Sequence, residues 1–282
     1  MNQIATIAPA MQRTSGSGRI AVKAVDGRTR LDRFYQEGAA RIRIPRLPGR
    51  TGMEAVLINT AGGLTGGDRL SWDVQAGPGT ALTMTTQACE KVYKSTGGTA
   101  EINVALTAGD GASLAWLPQE TILFDRARLV RRLEADLAPD ARLLAVEATI
   151  FGRQAHGESV REALFADRWR IRRAGRLIHA DDLRLSGDAA ATLALPAVMG
   201  GGIAVATVLL ASEDAEALLA PLRVLLAACP HVHAGASFWP AGGSGKLLAR
   251  LVASDGISLR KGLSPALALL NRGAPLPKIW SL

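Results

Sequence analysis

The chain has 282 residues, 48% of them hydrophobic, with 33 basic and 25 acidic side chains for a net charge of +8. It can bury a core, and its longest apolar runs, such as I203-A-V-A-T-V-L-L-A211, are about half of what a membrane helix needs. No apolar leader follows the N-terminus, and Cys89 and Cys229 stand far apart outside any C-x-x-C pattern, so secretion and a disulfide scaffold are not expected and a reducing cytoplasm is.

Residues 1–17 are small and polar, ending in S15-G-S-G18, and read as a disordered lead-in to one domain covering 18–282. From Ile20 onward period two prevails: R69-L-S-W-D-V-Q75, T80-A-L-T-M-T-T86, E101-I-N-V-A-L-T107, R128–L137, R142–F151 and R168–R173 all alternate. Turn signals such as A76-G-P-G79, S95-T-G-G98, A108-G-D-G111 and A138-P-D140 separate them. Strands every ten residues or so, without long intervening helices, predict a mainly β fold: a single large antiparallel or solenoid-like β domain. Two short helices are expected in the C-terminal third. One covers 213–229, capped by Ser212 and interrupted at Pro221; the other covers 264–271, with Ser264 as cap and Gly273 beyond its end.

Of the basic residues 27 are arginine, densest in R126-A-R-L-V-R-R132 and R168-W-R-I-R-R-A-G-R176. At strand spacing these read as a solvated strand face or a surface for an acidic protein partner. No nucleic-acid motif accompanies them, so nucleic acid is not an expected partner.

The glycine-rich N59-T-A-G-G-L-T-G-G-D68 is neither a Walker loop nor a dinucleotide fingerprint, and a strand rather than a helix follows it. G242-G-S-G-K246 fails as a phosphate loop because Pro240 and Leu247 stand at required positions. H231-V-H233 puts two imidazoles on one side of an extended segment, a spacing that can ligate metal, whereas His156 and His179 are isolated. No G-x-S-x-G elbow is present. Asp68, Glu90, Glu120, Asp125 and Glu158 each occupy a distinctive short segment, as an acid/base pair for hydrolysis, as weak oxygen ligands for a divalent cation, or as surface charges and turn caps.

N59–D68, T85-T-Q-A-C-E-K-V-Y-K-S95 and L117-P-Q-E-T-I-L-F-D-R-A-R-L129, in that order, resemble the signature blocks of the urease accessory protein family UreD, called UreH in some organisms. G152-R-Q-A-H-G-E158, W169–A180 and L276-P-K-I-W280 fit the same family, while about 188–245 matches poorly. Two positions depart from it: Cys89 stands where a small non-thiol residue is more usual, and Arg126 where glycine is common.

The resemblance implies a predominantly β fold with a couple of helices and a non-catalytic role. Its implied partners are urease apoprotein, UreF and, through UreF, the GTPase UreG. Its implied task is insertion of nickel into urease in the cytoplasm, as a scaffold and metallochaperone with no tightly bound cofactor. A tunnel proposed for the family would carry Ni2+ transiently. Asp68, Glu90, Glu120, Asp125 and Glu158 are then candidate acids of that path, with His231 and His233 as weaker candidates, because weak oxygen sites release nickel where a nitrogen or sulfur cage would trap it. The alternatives are a carboxylate-dependent hydrolase on the same β scaffold and, for the glycine loop, a plain inter-strand corner.

Overall fold

The computed structural model describes residues 12–153 and 157–281. Its strands are β1 (Ser15–Val25), β2 (Arg28–Gly38), β3 (Ala40–Arg43), β4 (Met53–Asn59), β5 (Arg69–Ala76), β6 (Ala81–Thr86), β7 (Glu90–Val92), β8 (Ala100–Ala108), β9 (Ser113–Leu117), β10 (Thr121–Leu123), β11 (Arg128–Leu137), β12 (Arg142–Phe151), β13 (Glu162–Arg173), β14 (Arg176–Asp188), β15 (Ala204–Ser212), β16 (Val232–Ala241) and β17 (Ser244–Ala253). Helices α1 (Ala189–Ala194), α2 (Leu219–Ala227) and α3 (Gly256–Leu270) follow, with a last 3-10 turn at Lys278–Trp280.

The chain winds as a solenoid between two sheets. One runs β14-β13-β11-β8-β5-β1-β2 and the other β16-β17-β15-β12-β9-β6-β4-β3. Strands β5, β8, β11 and β13 are parallel neighbours in the first, and β4, β6, β9 and β12 in the second. Each turn of chain therefore lays one strand on each sheet. Antiparallel pairing is confined to the two ends, at β1–β2, β3–β4, β13–β14 and β12–β15–β17–β16. Of the two expected β architectures the solenoid forms the centre and the antiparallel one its ends.

Period-two strands bury one side each, so the inward residues of both sheets meet in one core that includes Leu70, Trp72, Met84, Leu106, Leu133, Phe165 and Trp169. β12 and β15 are buried on both faces. Their outer side is covered by α2 and α3, where Leu144, Val208, Leu222, Leu263 and Leu267 form a second core. Double burial accounts for the unbroken apolar run in β15.

Four expectations need correction. Strand β1 begins at Ser15, inside the stretch read as lead-in; Gly16 and Gly18 face inward there because side chains would run into Ala40 and Trp72. Residues 213–218 are turns, so α2 is shorter than expected and Pro221 lies in its first turn, where no N–H is needed. Helix α3 starts at Gly256 under an Asp255 cap, whose Oδ1 accepts from Ser258 N at 2.7 Å, and runs through Pro265 to Leu270. Burial of Leu259, Leu263, Ala266, Leu267 and Leu270 holds it together across the proline. A third helix, α1, lies in the poorly matched stretch. G242-G-S-G-K246 opens the β16–β17 hairpin: Gly242 and Gly243 both have positive φ, as a two-residue turn between right-twisted strands requires.

Arg131 and Arg173 also depart from the solvated-face reading, since both are buried. Each shares the parity of inward apolar neighbours. Arg131 crosses the core, binding Asp167 through Nε at 3.0 Å and Nη2 at 2.7 Å, Thr121 Oγ1 at 3.1 Å and Glu147 at 2.6 Å, while Trp116 Nε1 donates to Glu147 at 2.9 Å. Burial pushes Glu147 up to about 7 against the pull of Arg131.

Candidate functional site

The third, short side of the solenoid carries all five acids. β7 and β10 are parallel neighbours, and β10 pairs with the end of β12. Leu64 of the glycine loop bridges to Val92, extending the same ladder by one position. Four segments thus stack: 59–68, 87–98, 117–127 and 149–153, the last followed by 157–162. Their rungs include Leu64 N to Lys91 O at 2.7 Å, Phe124 N to Val92 O at 3.0 Å and Gly152 N to Leu123 O at 2.7 Å.

The glycine loop lies flat on its neighbours. A side chain at Gly66 would press on Ser95 and on the carbonyls of Gly97 and Gly98, and one at Gly63 on the Tyr93 ring and Lys91 O. Gly62 and Gly67 take positive φ. Asp68 closes the corner: its Oδ1 accepts from Thr14 N and its Oδ2 from Thr65 N, both at 2.8 Å, and it is buried. All these contacts suit a tight corner between stacked coils.

Three further acids are similarly occupied. Asp125 Oδ1 accepts from Arg161 N at 2.7 Å and Glu162 N at 3.1 Å. Burial works against its charge, yet those amides and the nearby arginines hold the carboxyl below its ordinary value. Glu158 accepts from Arg153 Nε at 2.6 Å, and that guanidinium stacks on the Phe124 ring at 4.1 Å. Glu120 is buried and receives Arg260 through Nε at 2.9 Å and Nη2 at 2.5 Å. Arg260 also donates to Gln119 Oε1 and lies 5.0 Å from the centre of the Trp280 ring, whose Nε1 donates to Leu117 O at 3.0 Å. The C-terminal segment and α3 are thereby clamped onto the start of β10.

Glu90 differs. Its backbone N donates to Glu120 O at 3.0 Å, but among the described residues its carboxylate receives one side-chain bond, from Asn59 Nδ2 at 3.0 Å, and no cation. Burial pushes it up to about 7. It sits half-buried beneath the glycine loop, which Asn59 also grips through Gly63 O. Next to it, Cys89 Sγ lies 3.4 Å from Glu120 Oε2, and burial and that carboxylate push the thiol up to about 11. The thiol is therefore protonated at neutral pH when no metal is bound.

The acids share a side without converging: no group of three His, Cys, Asp or Glu arranged for a metal ion exists among the described residues. His231 has a positive φ and precedes β16, so the extended H-x-H geometry fails there; both His231 and His233 are exposed. His156 lies outside the described residues. His179 is buried against Trp169, with its Nε2 lacking a partner among the described residues, and burial and Lys246 push it down to about 4. A cleft of about 490 Å³ beside this side is lined by Arg126, Arg128, Arg161, Glu162 and Asp188. Its two acids are register partners, but Asp188 caps α1 and Glu162 faces Arg126 at 3.8 Å.

Sequence reasoning missed Arg260 and Asn59, which decide what Glu120 and Glu90 can do. Arg260 carried no local signal, being 140 residues from its partner. Asn59 opens the glycine motif and was quoted without a role.

The family model described as UreD urease accessory protein matches residues 14–281. Urease accessory protein UreD of Rhizobium rhizogenes (strain K84 / ATCC BAA-868) is 55% identical over 271 residues, covering 96% of each chain. UreD of Agrobacterium fabrum (strain C58 / ATCC 33970) is 53% identical over 96% of this chain and 92% of its own. UreD 1 of Brucella abortus biovar 1 (strain 9-941) is 51% identical over 96% and 95%.

Proposed function

From the chain's membership of the UreD urease accessory protein family, we propose that it is a non-catalytic scaffold for urease maturation in the cytoplasm, holding urease apoprotein together with UreF and, through UreF, the GTPase UreG while nickel is inserted. The observation that carries this is the match along nearly the whole chain. The prior engagement of Glu162 and Asp188 supports the non-catalytic reading over a hydrolase, which needs two free acids in one cleft.

Nickel is cargo here, and the donor set suits cargo. The side holding the five acids offers oxygen atoms that are dispersed and mostly satisfied, so an ion would find weak, sequential contacts and not a trap. Glu90 is the acid with spare capacity. Losing its proton to water near neutrality, and taking a passing cation in its place, would let it bind and let go within the physiological range. Asp68 serves the path indirectly, by fixing the corner above Glu90. α2 and α3 both give apolar residues to the second core, and Val224 of α2, 73% exposed, and Ile257 of α3, 64% exposed, leave each helix an apolar contact to offer UreF.

The test is urease co-expressed with its accessory proteins and with this chain as wild type, Glu90→Gln or Asp68→Ala. Glu90→Gln is expected to leave the chain folded and lower the nickel content and activity of urease. Asp68→Ala is expected to lower the thermal stability of this chain together with activation. Normal nickel loading with Glu90→Gln removes Glu90 from the path. Normal activation with the chain omitted removes the maturation role altogether.

A further inference from the structure

The end of the solenoid where both sheets terminate carries a cationic recess. β2 is the outermost strand of one sheet and β3 of the other, and the loop 44–52 that follows β3 folds back over the start of β2. Thr29 N donates to Thr51 O at 2.8 Å and Ala81 N to Thr29 Oγ1 at 2.9 Å, tying loop, strand and core together. Pro45 and Pro48 line the recess and fix two φ angles in the loop. The recess, of about 380 Å³, is walled by Arg28, Arg30, Arg46 and Arg50, with Glu54 its one carboxylate.

The charge balance there is lopsided. Among the described residues the guanidinium groups of Arg28, Arg30 and Arg46 make no hydrogen bond or ion pair. Arg50 reaches Glu54 only at 3.9 Å. Glu54 is 8% exposed, and burial pushes its carboxyl above the ordinary value. A second recess of about 420 Å³ shares the wall from Arg50 to Glu54 and ends at Arg142. Arg142 is 6% exposed and its Nη1 has no hydrogen-bond partner among the described residues, its ion pair with Asp214 standing at 3.6 Å.

We infer that this end of the solenoid binds an acidic segment of a partner protein, its carboxylates seated on Arg28, Arg30, Arg46 and Arg50. Guanidinium groups match carboxylates in planar, two-point hydrogen bonds, and unpaired ones at a strand edge have no internal use for that capacity. A peptide suits the surroundings better than a phosphate. Leu31 and Phe34, further along β2 and outside the recess, are 41% and 42% exposed, so an extended segment that continues along the strand would meet apolar surface. The outer edge of β2 also presents main-chain groups to an added strand. The arginines could serve solely to ward off edge-to-edge pairing, but that purpose requires neither a recess nor a buried arginine with an open donor.

The test uses the full chain and a fluorescein-labelled peptide in which glutamate alternates with leucine or serine, followed by anisotropy at low and high salt. Binding is expected at low salt, weakening as salt rises. It is expected to weaken at least about tenfold in the Arg28→Glu, Arg46→Glu double variant, whose exposed positions leave thermal unfolding unchanged. Arg176→Glu with Arg184→Glu, on β14 at the far edge of the same sheet, is expected to bind like wild type. Absence of binding at millimolar peptide overturns the inference, as does equal loss in the β14 variant. It is also overturned if tripolyphosphate or a short single-stranded RNA displaces the peptide more strongly than free glutamate peptide does, because the recess is then a phosphate site.

Discussion

Glu120 and Glu90 are joined by a backbone hydrogen bond and sit on adjacent coils, yet the surroundings of their carboxylates are opposite. Glu120 is enclosed by Arg260, Gln119 and Trp280, a pocket that α3 and the C-terminal turn complete. Glu90 faces the glycine loop and has Asn59 and the Lys91 backbone amide. One acid is paired and becomes part of the fold; the other is half-buried, with no cation paired to it among the described residues, and keeps a proton near neutrality. A short side built from stacked coils can thus hold a structural carboxylate and a titrating one a single rung apart.

The largest effect that would break this contrast is expected at the clamp. Arg260→Met leaves a buried carboxylate without its cation, at a cost of about 3–5 kcal/mol, read as a fall in thermal midpoint. Adding Glu120→Gln to it should recover part of the loss, because the amide needs no counter-charge. Independent, additive losses in that double-mutant cycle would show that Arg260 acts by packing alone.

The pH dependence of stability sharpens the Glu90 side. Its folded pKa of about 7 lies above its ordinary value, so the native state binds the extra proton between the two values. That stabilising contribution is complete below the unfolded pKa and is lost as pH rises through about 7. Glu90→Gln should therefore flatten the decline of stability between mildly acidic and mildly alkaline pH, gaining about 1–3 kcal/mol at the alkaline end. Denaturant titrations across that range would measure it, and an unchanged slope would mean that Glu90 ionises freely in the native protein.

A smaller difference is expected within the loop above Glu90. Gly66→Ala sets a methyl group against neighbouring backbone and should cost about 1–3 kcal/mol. Gly62→Ala meets open space and bears only the strain of a positive φ, about 1 kcal/mol. Equal losses would mean that close approach is not what Gly66 is for. The smallest effect is expected at Arg126, a non-glycine residue with φ 59. Arg126→Gly should relieve strain and change stability by less than about 1 kcal/mol, in the favourable direction.

The strands were legible from their alternation and their bounding turns. R128–L137 coincides with β11, which buries one face, and R142–F151 with β12, although β12 is buried on both; the turns at A76-G-P-G79 and A108-G-D-G111 fall between strands. Period two and turn chemistry are local properties, so one short window contains them. Even the inward direction of Arg131 is written in the parity of Leu129 and Leu133. β7 and β10 were not legible. At three residues each they have no period of their own and exist because neighbouring coils pair with them.

The sequence by itself determined that the chain is a β solenoid or antiparallel stack with late helices, and its ordered motifs marked the five acids as worth locating. The tertiary structure alone decided what each acid does. A carboxylate's character depends on which donors and cations lie within a few ångströms, and those arrive from other coils: Arg260 across 140 residues for Glu120, Asn59 across 31 for Glu90, Thr14 across 54 for Asp68. Charge and desolvation act through space, and the stacking order of the coils is what turns sequence distance into contact.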